Sequence, residues 1–364
     1  MSMNELTINR QWRSRPADQR FTSLPELHAH TSHITDHSNG RVVASKALTA
    51  DVENNQLVVR GPSGVGAIPT HWAFGQLAQR AGAPAGYLRD LPTELAVDCL
   101  NYGLHVARPV EDIGVLLYKN GGPAELHAVT GPNYGRIWNN RVTEAAIEAF
   151  GDGRTGTWRV PGEFGKQVAI TKDNTTLYAS DRDVLICLAD EDKTTEVKNR
   201  RDGKTGRLSN GIVIGNSDVG GGRFWVAFFV FDHFCCNRII WGFRDLEEIS
   251  IRHTASAPHR FLSEVVPVLK EIATNSVTLK EAQIVAAQNA RVPDLEKFLA
   301  SRKFTRSQIS GMKAAYENDE GVKLVDDCSV WDAVVAATAY ARGLEYQDAR
   351  VGIERTAGKM LLAA

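Results

Sequence analysis

The chain has 364 residues, of which 43% are hydrophobic and 23% charged, and its formal net charge is −1. That length allows two or three domains with a well-buried core. Near-neutral charge excludes a broad attraction to nucleic acid or anionic membranes, so any polyanion site has to be a local patch. No apolar run approaches the roughly 20 residues needed to cross a bilayer, which argues against a membrane protein. Met1–Arg20 is polar, with Arg10, Arg13, Arg15 and Arg20, and lacks the apolar core of a secretory signal. The five cysteines (Cys99, Cys187, Cys235, Cys236, Cys328) have no disulfide-framework spacing. Reduced thiols and a cytoplasmic location are the expectation.

Met1–Pro69 shows little sustained periodicity; Ser32–Gly40 reads as loop and Gln56–Arg60 as a short strand. Thr70 is a candidate N-cap for a helix carrying Trp72, Phe74, Leu77 and Ala81, broken at Gly82-Ala83-Pro84. Tyr87–Leu91 starts a second short element, and a third begins at Pro92-Thr93-Glu94. From Ile113 the pattern turns to strands. Val115–Tyr118 and Glu125–Val129 flank Asn120-Gly121-Gly122, a good hairpin turn. After an amphipathic helix at Val142–Phe150 come strand-like runs at Thr157–Val160, Gly165–Ile170, Thr176–Tyr178, Asp183–Leu188, Gly211–Gly215 and Phe224–Phe231. Strands joined by short turns, with one helix among them, imply a mainly antiparallel sheet. His259–Ala364 is helical, with Ser329 able to cap a helix carrying Trp331, Val334 and Thr338. The expected fold is α+β, a curved antiparallel sheet flanked by an N-terminal helical module and a C-terminal helical region. The expected domains are 1–110, 111–255 and 256–364.

Motif by motif, the chain offers no complete catalytic set. Gly61-Pro62-Ser63-Gly64-Val65-Gly66 has the glycine frame of a phosphate-binding loop, but Ala67 and Ile68 stand where a lysine and a hydroxyl are needed. His233, Cys235 and Cys236 lie close together, yet adjacent strand cysteines point to opposite faces and no second ligand pair follows. No metal and no cofactor are expected. His253 and His259 could titrate near neutrality, but neither has a nucleophile or paired carboxylate beside it in sequence. Lys193–Arg207 is the basic segment, with Lys193, Lys198, Arg200, Arg201, Lys204 and Arg207 against Glu196 and Asp202. It reads as a hairpin loop, either simply solvated or tracking a nucleic-acid backbone. Arg223, Phe224 and Trp225 add a cation and aromatic faces, the ingredients of single-strand binding.

One stretch is more specific: Gly211-Ile212-Val213-Ile214-Gly215-Asn216-Ser217-Asp218-Val219-Gly220. It resembles the central signature of a phage- and plasmid-encoded protein family of unknown function, in which a glycine and an apolar run precede Asn-Ser-acid-x-Gly. Cys235-Cys236-Asn237 is similar to that family's Cys-x-Asn element, with Arg238 where a glycine usually follows. Val129–Asn140 (Tyr134, Arg136, Asn140), Pro69–Leu104 and Trp331–Leu362 resemble further family segments. Asn216, Ser217 and Asp218 suit Asx-type turns, and Gly220–Gly222 permit left-handed backbone or close approach.

The resemblance implies a mobile element that handles single strands. The leading expectation is therefore a non-catalytic, homo-oligomeric single-stranded DNA binding or annealing protein. Its expected contact residues are Lys198, Arg200, Arg201, Lys204, Arg207, Arg223 and Trp225, with Tyr134 and Arg136. Two alternatives stand beside it: a nuclease- or hydrolase-type enzyme using Asp218, Asn216 and His253, and an interaction protein that interferes with host defence.

Overall fold

The computed structural model describes residues 15–161, 169–197, 206–232, 237–241, 249–274, 281–344 and 347–362. Arg20–Phe21 (β1) leads into the helix Leu24–Asp36 (α1). Its start is well specified: the Ser23 side chain accepts from Glu26 N, and the Glu26 carboxylate accepts from the Thr22 amide and hydroxyl. The expected loop at Ser32–Gly40 is thus wrong. It is the last turn of α1 followed by the strand Ser38–Ala44 (β2). Only Leu24, Leu27 and Thr31 of α1 are buried, so its apolar stripe is too thin to show as periodicity.

A six-stranded sheet follows. It comprises β2, Thr49–Glu53 (β3), Gln56–Arg60 (β4), Gly66–Pro69 (β5), Asp112–Tyr118 (β6) and Ala124–Thr130 (β7), in the order β2-β6-β7-β5-β4-β3. The β5–β7 pair is parallel and every other pair antiparallel. Between β5 and β6 run the helices His71–Ala81 (α2), Ala85–Asp90 (α3) and Thr93–Tyr102 (α4), which share a core with the sheet. The Thr70 cap accepts from Ala73 N, and Gly82 closes α2 in the left-handed region, as expected. The glycine-framed segment at 61–66 is the turn joining β4 to β5. The boundary expected at 110/111 runs between strands of this one sheet.

After the helix Asn139–Phe150 (α5), a second, eight-stranded sheet forms. Its strands are β1, Trp158–Arg159 (β8), Leu177–Ala179 (β9), Val184–Val197 (β10), Gly206–Asn216 (β11), Phe224–Asp232 (β12), Asn237–Trp241 (β13) and Ile249–Ile251 (β14). The main path is β1-β9-β10-β11-β12-β13, all antiparallel. Both faces are covered. Ile186, Leu188, Ile212, Ile214, Phe224, Val226 and Phe228 pack under α1, α5 and the helices Ala257–Arg260 (α6) and Val266–Thr274 (α7). Leu185, Cys187, Val213, Ala227 and Phe229 pack on the other face with Val351. A sheet buried on both sides needs apolar residues at every position, which is why β12 reads as an unbroken apolar run.

The remaining helices are Glu281–Asn289 (α8), Leu295–Ala300 (α9), Arg306–Glu320 (α10), Val330–Arg342 (α11) and Gln347–Leu362 (α12). α11 is buried around nearly its whole circumference and forms the axis of this bundle. Ser329 caps it as expected, reciprocally with Asp332. Leu208 of β11 belongs to the same core, and α12 packs on β13, so the bundle seats on the sheet. Together the two antiparallel-rich sheets and flanking helices make the fold α+β. Among the described residues no helix is long and apolar enough to cross a membrane.

Gly211 and Gly215 bear the sharpest packing constraint in β11. They pair directly with Phe229 and Trp225 across to β12. A Cβ on Gly211 would lie 2.2 Å from the Phe229 ring, and one on Gly215 would lie 2.4 Å from the Trp225 indole. Each ring therefore lies across the bare backbone of its glycine partner. Gly211→Ala and Gly215→Ala should each cost about 1–3 kcal/mol in urea unfolding. Combining either with Phe229→Ala or Trp225→Ala at its partner should cost less than the sum of the singles. Alanine substitutions without effect on the midpoint would contradict this packing.

Candidate anion-binding site beside the central turn

β11 ends at Asn216, and the turn through Gly220 (φ 88°) folds back to β12. Its polar groups point inward. The Asn216 amide donates to Ile137 O and Asn139 Oδ1, each at 2.8 Å. Asn139 N donates to the Asp218 carboxylate at 3.2 Å. The Tyr134 hydroxyl donates to Ser217 O at 2.8 Å, and Val219 O accepts from Gln76 Nε2 at 2.9 Å and Trp72 Nε1 at 3.2 Å. Gln76 also accepts from Val129 N at 2.8 Å. The turn thereby ties the β11–β12 sheet to α2 of the other sheet and to the 131–139 loop. Asn216, Ser217 and Asp218 are all buried. Their hydrogen bonds hold the turn, while Asn216 Oδ1 is buried without a hydrogen-bond partner among the described residues.

His253 lies on the far side of that loop. Its ring stacks on Tyr134 with centroids 4.8 Å apart, and Nδ1 donates to Gly135 O at 3.1 Å. Gly135 sits so tightly on the Thr254 carbonyl that a Cβ would lie 1.8 Å from its oxygen. Burial lowers the histidine's affinity for a proton, and its Nε2 is buried without a hydrogen-bond partner among the described residues. No hydrogen bond among the described residues joins His253 to Asp218.

Asp218 instead lines a small cavity with His30, His127, Asn139, Asp181 and apolar neighbours such as Leu116 and Trp138. Burial raises the pKa of both carboxyls, outweighing the nearby His127 and, for Asp218, the Asn139 amide and Arg136. The cavity measures about 20 Å³, room for about one water and too little for a substrate. Among the described residues no group of three or more His, Cys, Asp or Glu is placed to hold a metal ion.

The opposite side of the turn is different in kind. Ser217 Oγ donates to Arg182 O and accepts from Gly221 N at 2.7 Å, which anchors the start of β10 to the turn. Arg182 and Arg15 converge on Asp183, with contacts of 2.8 and 2.7 Å. Burial pushes the Asp183 carboxyl up, but the two guanidinium groups overcome this and hold it well below the usual carboxylate range. Across from them, the Arg355 guanidinium of α12 lies 3.9 Å from the centre of the Trp225 ring. Together with Arg223, Asn216, Ser217, Gly221, Gly222 and Gly352, these groups line an open cavity of about 230 Å³. Arg15, Arg182, Arg223 and Arg355 thus line one cavity with Asp183. Such a concentration of forked donors binds phosphate or carboxylate oxygens.

Arg223, exposed at the rim, and Trp225 are the two expected contact residues that reach this cavity. Trp225 is no open stacking platform, because Gly215 backs one side and Arg355 covers a face. Phe224 is fully buried. Tyr134 and Arg136 lie elsewhere, in the 131–139 loop, where the Arg136 guanidinium stacks 5.3 Å from the Tyr134 ring and 5.2 Å from the Trp138 ring. Arg207 is exposed on β11, its guanidinium donating to the Thr194 hydroxyl at 2.9 Å. Lys198, Arg200, Arg201 and Lys204 fall outside the described residues, as do His233, Cys235 and Cys236. The described ends of β10 and β11 pair with Val197 opposite Gly206. Gly206 lies ten residues along β11 from Asn216, on the order of 33 Å at a strand's rise. Arg207, next to it, is therefore remote from the cavity that Arg223 lines.

Sequence reasoning missed Arg15, Arg182, Asp183 and Arg355, which come from three distant parts of the chain. A weak signal existed in Arg182-Asp183 immediately before a strand. No family model, curated protein or solved structure matches the chain.

Two titrations follow. Asp183 binds protons less readily folded than unfolded, so the stability it contributes is present above about pH 4 and is lost as pH falls through its folded value. Asp183→Asn should cost about 3–5 kcal/mol at pH 7 by leaving two inward guanidinium groups facing an amide. That deficit should narrow in urea titrations at pH 3, and a deficit unchanged at pH 3 would contradict the ion-pair account. Asp218 has the reverse sign: its raised pKa makes ionisation costly, and the cost is relieved as pH falls. Asp218→Asn keeps an acceptor for Asn139 N, so relative to wild type the variant should gain more at pH 8 than at pH 5. A pH-independent difference would show that burial does not govern this carboxyl.

Proposed function

We propose that this protein binds single-stranded nucleic acid without cleaving it, as a cytoplasmic, homo-oligomeric annealing protein of a phage or plasmid. The observation that carries this reading is the cavity beside the central turn, where Arg15, Arg182, Arg223 and Arg355 come together with Asp183 in a chain whose net charge is −1. A cluster of forked guanidinium donors supports a polyanion partner bound at one place rather than over the whole surface. Arg207, exposed near the far end of β11, supports a second backbone contact some distance along the same strand. Less favourable to the hydrolase reading are the different hydrogen-bond partners of Asp218 and His253 among the described residues and the small cavity beside Asp218.

Oligomerisation has its own support. Leu95, Tyr102 and Val106 are exposed by 47%, 63% and 67%. They recur at seven and four residues along α4 and its π-helical continuation Gly103–Ala107, forming an apolar stripe suited to contact between copies.

Binding of fluorescent single-stranded and duplex oligonucleotides across a salt series, with light scattering alongside, tests the reading. Affinity for single strands should exceed that for duplex and fall steeply with salt. Arg223→Glu should weaken it and reduce the salt slope by about one. Absence of salt-dependent binding, or full binding by Arg223→Glu, would overturn the assignment of this cavity.

A further inference from the structure

We infer that the six-stranded sheet carries a separate small-molecule site: the cavity walled by β2, β6, β7 and the 61–65 turn takes a monocarboxylate with a compact apolar body.

The alternation of β2 is the first argument. β2 is the edge strand of that sheet, and its register sets Asn39 opposite Leu117, Arg41 opposite Val115 and Val43 opposite Ile113. Residues directly opposite each other share a face, and Val115, Leu117 and Ile113 belong to the face that packs on α2–α4. Arg41 and Asn39 therefore stand on the core side of β2, while Val42, on the other side, is 58% exposed. A strand that only closed the core would carry its apolar residues the other way round.

The cavity beside Arg41 measures about 180 Å³. Its floor is apolar and buried, made by Leu48, Val59, Val115 and Leu126. Asn39, Arg41 and Ser63 line it too and are exposed, so its polar groups lie toward solvent. Interiors normally close voids of this size. Here a well-defined turn keeps it open. Gly64 N donates to Gly61 O at 2.9 Å, Gly64 adopts a left-handed φ of 73°, and the Arg60 guanidinium donates to Gly64 O at 2.8 Å. Gly61 and Ser63 thus present small groups where larger ones would fill the space.

The lining sets the ligand's chemistry. Among the described residues no Asp or Glu lines the cavity, and Arg41 donates to the Asn39 side chain at 3.4 Å without pairing with a carboxylate. A forked guanidinium above an apolar floor suits a carboxylate head on a hydrocarbon body. Size sets the body: an apolar cavity of about 150 Å³ takes a benzene ring, so this one accommodates roughly six to eight carbons.

The test titrates octanoate and benzoate into the full chain with labelled valine and leucine methyls, followed by NMR. Octanol, which lacks the charge, and acetate, which lacks the body, are the controls. Octanoate and benzoate should bind with Kd on the order of 0.1–1 mM and shift the Val59, Val115 and Leu126 methyls. Octanol should bind about tenfold more weakly than octanoate, the worth of one charge-assisted hydrogen bond, and acetate should not bind. Arg41→Gln, at an exposed position, should lower octanoate to the affinity of octanol and leave octanol unchanged. Val65→Phe keeps Arg41 and fills the cavity from an exposed turn position, so it should abolish binding of both. Equal affinity for octanoate and octanol, or full octanoate binding by Arg41→Gln, would overturn the carboxylate assignment. Shifts confined to other methyls, full binding by Val65→Phe, or no shift at about tenfold above that range would overturn the site itself. Strand binding is read at other residues, so these outcomes and those of the oligonucleotide titration remain distinguishable.

Discussion

Three consecutive polar side chains, Asn216, Ser217 and Asp218, are taken out of water in a turn that is not regular secondary structure, and the rest of the structure depends on how they are satisfied. An amide, a hydroxyl and a carboxylate buried without partners would each cost several kcal/mol. Here partners for those side chains come from the 131–139 segment and the Arg182 carbonyl before β10, while α2 bonds the neighbouring Val219 carbonyl. The turn therefore cannot form alone. Each of those segments is placed by it in return, and the two sheets are joined through its backbone.

That constraint separates two surfaces with opposite chemistry. Inward lies a water-sized polar cavity with two carboxyls biased toward the protonated form by burial. The cavity beside them has room for about one water. Outward, the Ser217 hydroxyl holds the Arg182 backbone, which sets the Arg182-Asp183-Arg15 cluster at the mouth of the larger cavity. The flat packing of Trp225 on Gly215 then gives Arg355 a surface to rest on. The glycines and the polar triplet of the central segment thus serve one end: an arginine cluster on a rigid support.

Much of this was legible in the sequence where local chemistry decides. The caps at Thr70 and Ser329, the hairpin at Asn120-Gly121-Gly122 and the β11–β12 strands follow from turn residues and periodicity alone. What escaped was set by contacts between distant segments. α1 hides behind three histidines and a three-residue buried stripe, although Ser23 and Glu26 announce its start. Strands on both sides of residue 110 join one sheet because β2 pairs with β6 and β5 in parallel with β7, non-local choices that no single segment encodes. The same holds for the site. Arg223 and Trp225 stood out as neighbours in sequence, whereas Arg15, Arg182 and Arg355 become partners only once β10 and α12 are in place.

The most direct test of the central turn as the organising element is amide hydrogen exchange. Two amides report on it: Gly221 N, which donates to Ser217 Oγ, and Asn139 N, which donates to Asp218. If the turn holds the sheets together, both should exchange only with global unfolding, at the same opening free energy as Ile212 and Ile214 in the core of β11. Exchange of either amide at rates typical of an open surface loop, with β11 still protected, would show that the turn is an appendage and would contradict the account.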